Sequence, residues 1–201
     1  MFELIVATRN RHKTSEIRHI LGPEFSVRDL GAHPEVSEIR ESGTSFEENA
    51  KLKALAASKQ LPALVIADDS GLEVDALGGA PGIYSARYAG ANATDGDKID
   101  KLLRELARVH ASDDRRCARF RCVMALARNG NLLGTFEGIV EGSIVDEPRG
   151  DSGFGYDPIF IPEGLKQTFG ELPAEVKNTM SHRAKAIRAL ADRLRRLEFG
   201  G

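Results

Sequence analysis

The stretch Ala63-Leu64-Val65-Ile66-Ala67-Asp68-Asp69-Ser70-Gly71 decides how the chain is read. Five apolar residues, too few for a helix and preceded by Leu61-Pro62, form the clearest internal strand. The abrupt change to Asp68-Asp69 then places two carboxylates at that strand's C-terminal end.

Working upstream, Thr44 and Ser45 are each followed three residues later by a glutamate, Glu47 and Glu48, giving two overlapping capping-box registers. They open an Ala-rich helix that runs to Lys59. Earlier still, residues 2–7 read as a buried strand and residues 8–13 as a polar loop. Ile17, Ile20 and Leu21 then recur at helical spacing until Gly22-Pro23, and Phe25, Val27 and Leu30 suggest a second strand.

Downstream, Gly78-Gly79-Ala80-Pro81-Gly82 reads as a loop. Ile99, Leu102, Leu103, Leu106 and Val109 mark one face of an amphipathic helix, and Arg115-Arg116 leads into a strand over 117–127. Asn129-Gly130 signals a hairpin whose partner strand covers 132–144, and a short strand at 158–161 follows the Gly-rich segment 150–155. Ile187, Leu190, Leu194 and Leu197 line the last helix, with Ser181 as its N-cap and Arg188, Arg193, Arg195 and Arg196 on other faces. Strands and helices interleave in the first half and a long hairpin fills the second. An α/β fold is therefore expected, a mixed sheet flanked by helices, forming one domain over 1–201 with two lobes.

At 201 residues the chain is long enough for a substantial core without disulfides. Hydrophobic residues are 41% and charged residues 29%, the make-up of a globular protein. Lys and Arg number 28 against 30 Asp and Glu, a net charge of −2, which argues against a nucleic-acid polymer as partner. No apolar run approaches membrane-spanning length, and Met1-Phe2-Glu3-Leu4 resembles neither a signal nor a transit peptide; a cytoplasmic protein with no membrane partner is expected. Cys117 and Cys122 stand an odd number of residues apart on one strand. They should point to opposite faces as buried, unlinked thiols, with no support for a zinc site.

Several clusters carry chemical potential. Asp68-Asp69 suits a hard divalent cation, yet one of the two can equally cap the following turn. Thr8-Arg9-Asn10-Arg11-His12-Lys13 gathers hydroxyl, amide and cationic donors between a strand and a helix, where backbone N–H groups also favour an anion, although no Walker-type glycine is present. Glu41 precedes the capped helix that carries Lys51 and Lys53. Gly153-Phe154-Gly155-Tyr156-Asp157-Pro158 offers an aromatic face and a carboxylate to a base, or simply makes a tight turn. Lys177-Asn178 and Ser181-His182-Arg183 bring donors to the start of the last helix.

Together these segments resemble the inosine/xanthosine triphosphate pyrophosphatase family. The likeness runs through Ala7-Thr8-Arg9-Asn10-Arg11-His12-Lys13, Glu41-Ser42-Gly43-Thr44-Ser45-Phe46-Glu47-Glu48-Asn49-Ala50 and Lys53-Ala54. It continues in Ala67-Asp68-Asp69-Ser70-Gly71-Leu72, Gly79-Ala80-Pro81-Gly82-Ile83-Tyr84-Ser85-Ala86-Arg87, the Gly153 to Phe160 segment and Ser181-His182-Arg183-Ala184-Lys185-Ala186. Gly170-Glu171-Leu172 differs slightly from the family's Ala-Glu-Leu, and Arg11 and His12 stand where the family varies.

The resemblance implies an elongated α/β fold with its site in a cleft between two lobes, a homodimer, and Mg2+ as cofactor. It implies hydrolysis of ITP, dITP and XTP to monophosphate and pyrophosphate, which keeps deaminated purines out of DNA and RNA. Thr8, Asn10, Lys13 and Lys53 would hold phosphates, Glu41 and Asp69 the metal, and Asp69 would accept the proton. Ser70, Phe154, Gly155, Tyr156, Asp157, Lys177, His182 and Arg183 would line the nucleotide pocket, with Arg183 favouring a 6-oxo group over the 6-amino group of adenine.

Two other classes compete with this reading. A nucleotide sensor without turnover leaves Glu41 and Asp69 without a function. An RNA-binding protein would use Arg104, Arg108, Arg115, Arg116, Arg119 and Arg121 as a phosphate-tracking stripe, but interspersed acids favour a solvated surface.

Overall fold

A computed structural model describes residues 2–37, 39–112 and 116–199. Six strands form a mixed sheet in the order β2-β1-β3-β4-β5-β6, namely β1 Phe2–Val6, β2 Phe25–Asp29, β3 Leu64–Val74, β4 Cys117–Arg128, β5 Asn131–Ile144 and β6 Phe160–Pro162. β1 runs parallel to β2 and β3, whereas β5 and β6 are antiparallel. The helices are α1 Arg11–Leu21, α2 Phe46–Ser58, α3 Asp95–Arg108, α4 Ala174–Met180 and α5 His182–Phe199. The expected mixed α/β architecture is therefore present.

Contacts divide the chain into two units. The first comprises residues 1–69, 122–138 and 182–201, and the second residues 70–121 and 139–181. In the first, Leu4 and Val6 of β1, Ile66 of β3 and Met124 of β4 pack with Ile17 of α1 and with Ile187, Leu190 and Leu194 of α5. Asn10 caps α1 by accepting from the His12 and Lys13 N–H groups at 3.0 and 3.3 Å. Gly138 of β5 has no room for a side chain, since a Cβ there would lie 2.0 Å from the His182 carbonyl oxygen. That closeness seats the first turn of α5 against the strand. In the second unit, Leu72 and Val74 of β3, Ile99, Leu102 and Leu106 of α3, and Phe120, Phe160 and Phe169 make a separate core. Thr94 and Asp97 form a reciprocal capping box on α3.

Several expectations change. β3 does not stop at Ala67 but runs on through Asp68-Asp69 to Val74, because both carboxylates find cationic or amide partners that offset their burial. Leu30 leaves β2 for a 3-10 turn whose Asp29 cap accepts from the Gly31 N–H. Pro158 and Ile159 also belong to a 3-10 turn, as expected of a proline that cannot donate to a ladder. Val109 caps α3 and is exposed, one residue past the apolar stripe. At α2 the two capping registers merge: Ser45 accepts the Glu48 N–H at 3.2 Å, while the Glu48 carboxylate takes the Thr44 N–H and hydroxyl at 2.7 and 2.8 Å. Cys117 is exposed and Cys122 buried, so the opposite-face expectation holds but only one thiol is in the core. Neither forms a disulfide. α4 has no counterpart in the sequence reading. Arg115 and the Leu197 side chain lie outside the described residues.

Candidate active site

In the first unit, the loop after β1, the start of α1, the segment before α2 and α2 itself surround a cavity of about 590 Å3 walled by Thr8, Arg9, Lys13, Val36, Glu41 and Lys53 among others. Lys53 on α2 is the hub of its charges. Its Nζ donates to Glu41 Oε1 at 2.7 Å, to the Asp68 carbonyl at 2.6 Å and to Asp69 Oδ1 at 3.3 Å. Asn49, one helical turn earlier, donates to Asp69 Oδ2 at 3.1 Å and accepts the Gly43 N–H at 2.8 Å, tying the Glu41–Gly43 stretch to β3. The sequence reading gave Asn49 no role, although an amide on the buried face of an Ala-rich helix is a signal that it has a partner.

Strand alternation sends the neighbouring acid the other way. Asp68 Oδ2 meets Lys13 Nζ at 3.1 Å and Arg183 Nη2 at 3.3 Å, and Arg183 Nη1 also bonds Glu16 of α1. Asp68 is thus a structural anchor between α1 and α5, a position the sequence left open. Arg183 is 2% exposed, and its guanidinium is engaged by two carboxylates of its own chain. Glu16 was not singled out in sequence, because its partner lies 167 residues away.

These environments separate two adjacent aspartates electrostatically. Burial pushes the Asp69 carboxyl above its ordinary range; Lys53 opposes the shift and Glu41 reinforces it. Burial acts on Asp68 in the same sense but is overcome by Lys13, Arg183 and Lys53, which hold it far below the usual carboxylate range. Burial lowers Lys53, yet Asp69, Asp68 and Glu41 carry it above its ordinary value, so it stays an ammonium. Of the two, Asp69 is the one whose proton affinity is raised, as suits a group that accepts a proton.

Among the other residues singled out, Thr8 Oγ1 accepts the Asn10 N–H at 3.1 Å and Thr8 lines the cavity, whereas the Asn10 side-chain oxygen is spent on capping α1. His182 is buried at the first position of α5. The remaining candidates belong to the second unit. Lys177 on α4 bonds Asp157 Oδ2 at 2.6 Å, with its ammonium 4.9 Å from the Phe154 ring centre. Asp157 Oδ2 also receives the Phe154 N–H at 2.8 Å, and Asp95 receives the Gly155 N–H at 2.7 Å, so two carboxylates shape the glycine-flanked turn. Tyr156 is buried and donates to the Ser85 carbonyl at 3.0 Å. Ser70 continues β3 into this unit. Thr8, Lys13, Lys53, Glu41 and Asp69 are therefore brought together in the first unit, and Phe154, Gly155, Asp157 and Lys177 in the second.

Comparison with known proteins agrees with this motif order. A model of the Ham1 family matches residues 4–193. The chain belongs to the Ham1 family. Within it, a dITP/XTP pyrophosphatase of Bacillus licheniformis is 49% identical over 195 residues, covering 95% of this chain and 97% of that protein. One from Bacillus subtilis is 48% identical over 192 residues, covering 95% and 96%. The solved HAM1 protein of Coxiella burnetii superposes with a TM-score of 0.87 at 42% identity, over 96% of this chain and 98% of its own. The resemblance drawn from the motifs is thus borne out at the level of family and fold. No helix of the described residues is long and apolar enough to cross a membrane.

The donor set at Lys53 fits Mg2+. Among the described residues no group of three or more His, Cys, Asp or Glu gathers as a ready-made cage. Mg2+ asks for less: one or two carboxylates, with phosphate and water oxygens completing its shell. Glu41 and Asp69, joined through one ammonium, supply that pair of hard oxygen donors.

Proposed function

We propose that the protein hydrolyses deaminated purine nucleoside triphosphates, dITP, ITP and XTP, to the monophosphate and inorganic pyrophosphate. The observation that carries this reading is the Asp69 carboxyl, raised by burial and Glu41, held 3.3 Å from the Lys53 ammonium, which lines the cavity with Lys13, Thr8 and Glu41. The names of the Bacillus relatives, nearly half identical over almost their whole length, support the substrate class.

In this reading Lys13, Lys53 and Thr8 bind the triphosphate oxygens, and Asp69 takes the proton of the attacking water. The water oxygen bonds to the α-phosphorus, the bond to the bridging oxygen breaks, and its electron pair leaves with pyrophosphate. Mg2+ held by Glu41 and Asp69 would neutralise phosphate charge and polarise the α-phosphoryl group. Asn10 contributes mainly by fixing α1 and its N–H groups toward the anion. By the resemblance, Phe154 offers its ring to the base, on a turn held within the second unit by the Asp157 and Asp95 carboxylates, and Ser70, Tyr156 and Lys177 are further nucleotide-pocket candidates of that unit. Arg183 reads a 6-oxo group only by exchanging a bond to Glu16 or Asp68, and His182 lies beside it. A cytoplasmic homodimer completes the reading, on the strength of the resemblance.

The test is to incubate purified protein and Mg2+ with a panel of nucleoside triphosphates and identify both products. The reading expects monophosphate and pyrophosphate from dITP, ITP and XTP, slow turnover of ATP and GTP, and no turnover in excess EDTA. Stepwise release of orthophosphate, or binding without products, overturns it.

A further inference from the structure

Three cations stand on the wall of the 590 Å3 cavity, and they differ in what holds them. Lys13 is paired with Asp68 at 3.1 Å and Lys53 with Glu41 at 2.7 Å and Asp69 at 3.3 Å. Arg9 forms no ion pair among the described residues; its Nη2 donates to the Val36 carbonyl at 2.8 Å. An exposed arginine is ordinarily just solvated. Arg9 differs because its guanidinium is tied to a fixed point on the cavity wall. Val36 is fully buried and donates its own N–H to the His33 carbonyl at 3.1 Å, and the start of the same loop is pinned where the Leu30 N–H meets the Thr8 carbonyl at 3.1 Å. One of five N–H donors is used, and the rest of a planar, permanently charged fork remains for an oxyanion.

We infer that Arg9 binds the end of the triphosphate that leaves as pyrophosphate, an inference that rests on the pyrophosphatase reading. The reacting α-phosphorus belongs beside Asp69, where the positive charge of Lys53 is already shared between two carboxylates. Negative charge accumulates during the reaction on the departing pyrophosphate, and the cation with no carboxylate of its own among the described residues is the one whose charge is available there. Arginine suits the task, because two parallel N–H groups match two oxygens of one phosphoryl group.

The test compares wild type, Arg9→Ala and Arg9→Lys in three measurements: kcat/KM for dITP, calorimetric affinity for inorganic pyrophosphate with Mg2+, and inhibition by dIMP. Arg9→Ala should weaken pyrophosphate affinity and lower kcat/KM by about tenfold or more while dIMP inhibition and the melting temperature hold, with Arg9→Lys recovering part of the loss. Equal pyrophosphate affinity in wild type and Arg9→Ala overturns the inference. So does a parallel loss of pyrophosphate and dIMP affinity with a lowered melting temperature, which would make Arg9 only a tie to Val36. Absence of dITP hydrolysis by wild type would instead overturn the pyrophosphatase reading, while the pyrophosphate calorimetry still decides what Arg9 binds.

Discussion

Lys53 in the first unit and Lys177 in the second are both buried lysines against an aspartate, yet they are surrounded differently. Lys177 meets Asp157 at 2.6 Å, and its ammonium lies 4.9 and 5.8 Å from the ring centres of Phe154 and Phe169. There the ammonium and the carboxylate meet directly, with aromatic faces close to the ammonium. Lys53 is shared by Glu41, Asp69 and the Asp68 carbonyl, so Asp69 has only part of an ammonium and a second carboxylate near it. The difference teaches where chemistry is stored. A matched pair fixes a backbone turn, while a shared lysine leaves a carboxylate whose proton affinity is raised.

The sharpest way to break this contrast is to neutralise each aspartate in turn. Asp69→Asn should lower kcat on dITP by about 10²- to 10⁴-fold without unfolding the protein, since the amide oxygen still accepts from Lys53. Asp157→Asn should reduce thermal stability more than it reduces kcat. Equal kinetic losses from the two variants, measured beside their circular dichroism melts, would abolish the distinction.

Removing the lysines tests the same contrast through stability. Lys177→Met removes the ammonium 2.6 Å from the buried Asp157 carboxylate and should cost about 3–5 kcal/mol in urea denaturation. Lys53→Met should cost less, because burial already raises the proton affinity of Asp69, which can take up a proton and shed its charge when the ammonium is lost.

The third effect is smaller and has a sign. Because Asp69 is raised in the folded state, its ionised form opposes folding: that contribution is absent below the ordinary carboxylate range and grows as pH rises through the folded pKa. Asp68 is the reverse, contributing stability at neutral pH that is lost as acid protonates it. An NMR titration of the Asp69 carboxyl in metal-free protein should therefore move upward in Lys53→Gln and downward in Glu41→Gln. Shifts in the same direction would contradict the shared-lysine account.

The smallest expected effect separates fold from binding at α1. Asn10→Ala should cost about 1 kcal/mol through loss of the cap, whereas Asn10→Asp should keep that stability and weaken triphosphate binding by adding charge. Chemical denaturation read beside KM for dITP distinguishes the two.

Much of this arrangement is legible in the sequence wherever the signal is local. The Asn129-Gly130 turn, with φ of 52° and 75°, and the apolar faces of α1, α3 and α5 follow from turn chemistry and helical periodicity. The polar loop over 8–13, Glu41, Lys53 and Asp69 are legible as a motif order, and the cavity unites most of them. What escaped the reading is set by partners far along the chain. β3 continues past Ala67 because Lys13, Lys53 and Arg183, drawn from three helices, offset the charge of its aspartates. Hydrophobic pattern cannot register such a strand. Glu16 and Asn49 are invisible for the same reason, each defined by a partner in another element. The seven-residue α4 has no side-chain cap to announce it.

The two cysteines of β4 give the protein a practical asymmetry. Burial, reinforced by Asp68, pushes the Cys122 thiol up to about 12, so at neutral pH it offers almost no thiolate, and its side chain is closed to reagents. Cys117, five residues earlier on the same strand, is exposed. A maleimide dye added to the native protein should therefore attach at one position only, giving a singly labelled chain without any engineered cysteine. The same asymmetry confines thiol oxidation by peroxide to the start of β4, leaving the thiol next to the Asp68 ion pairs reduced.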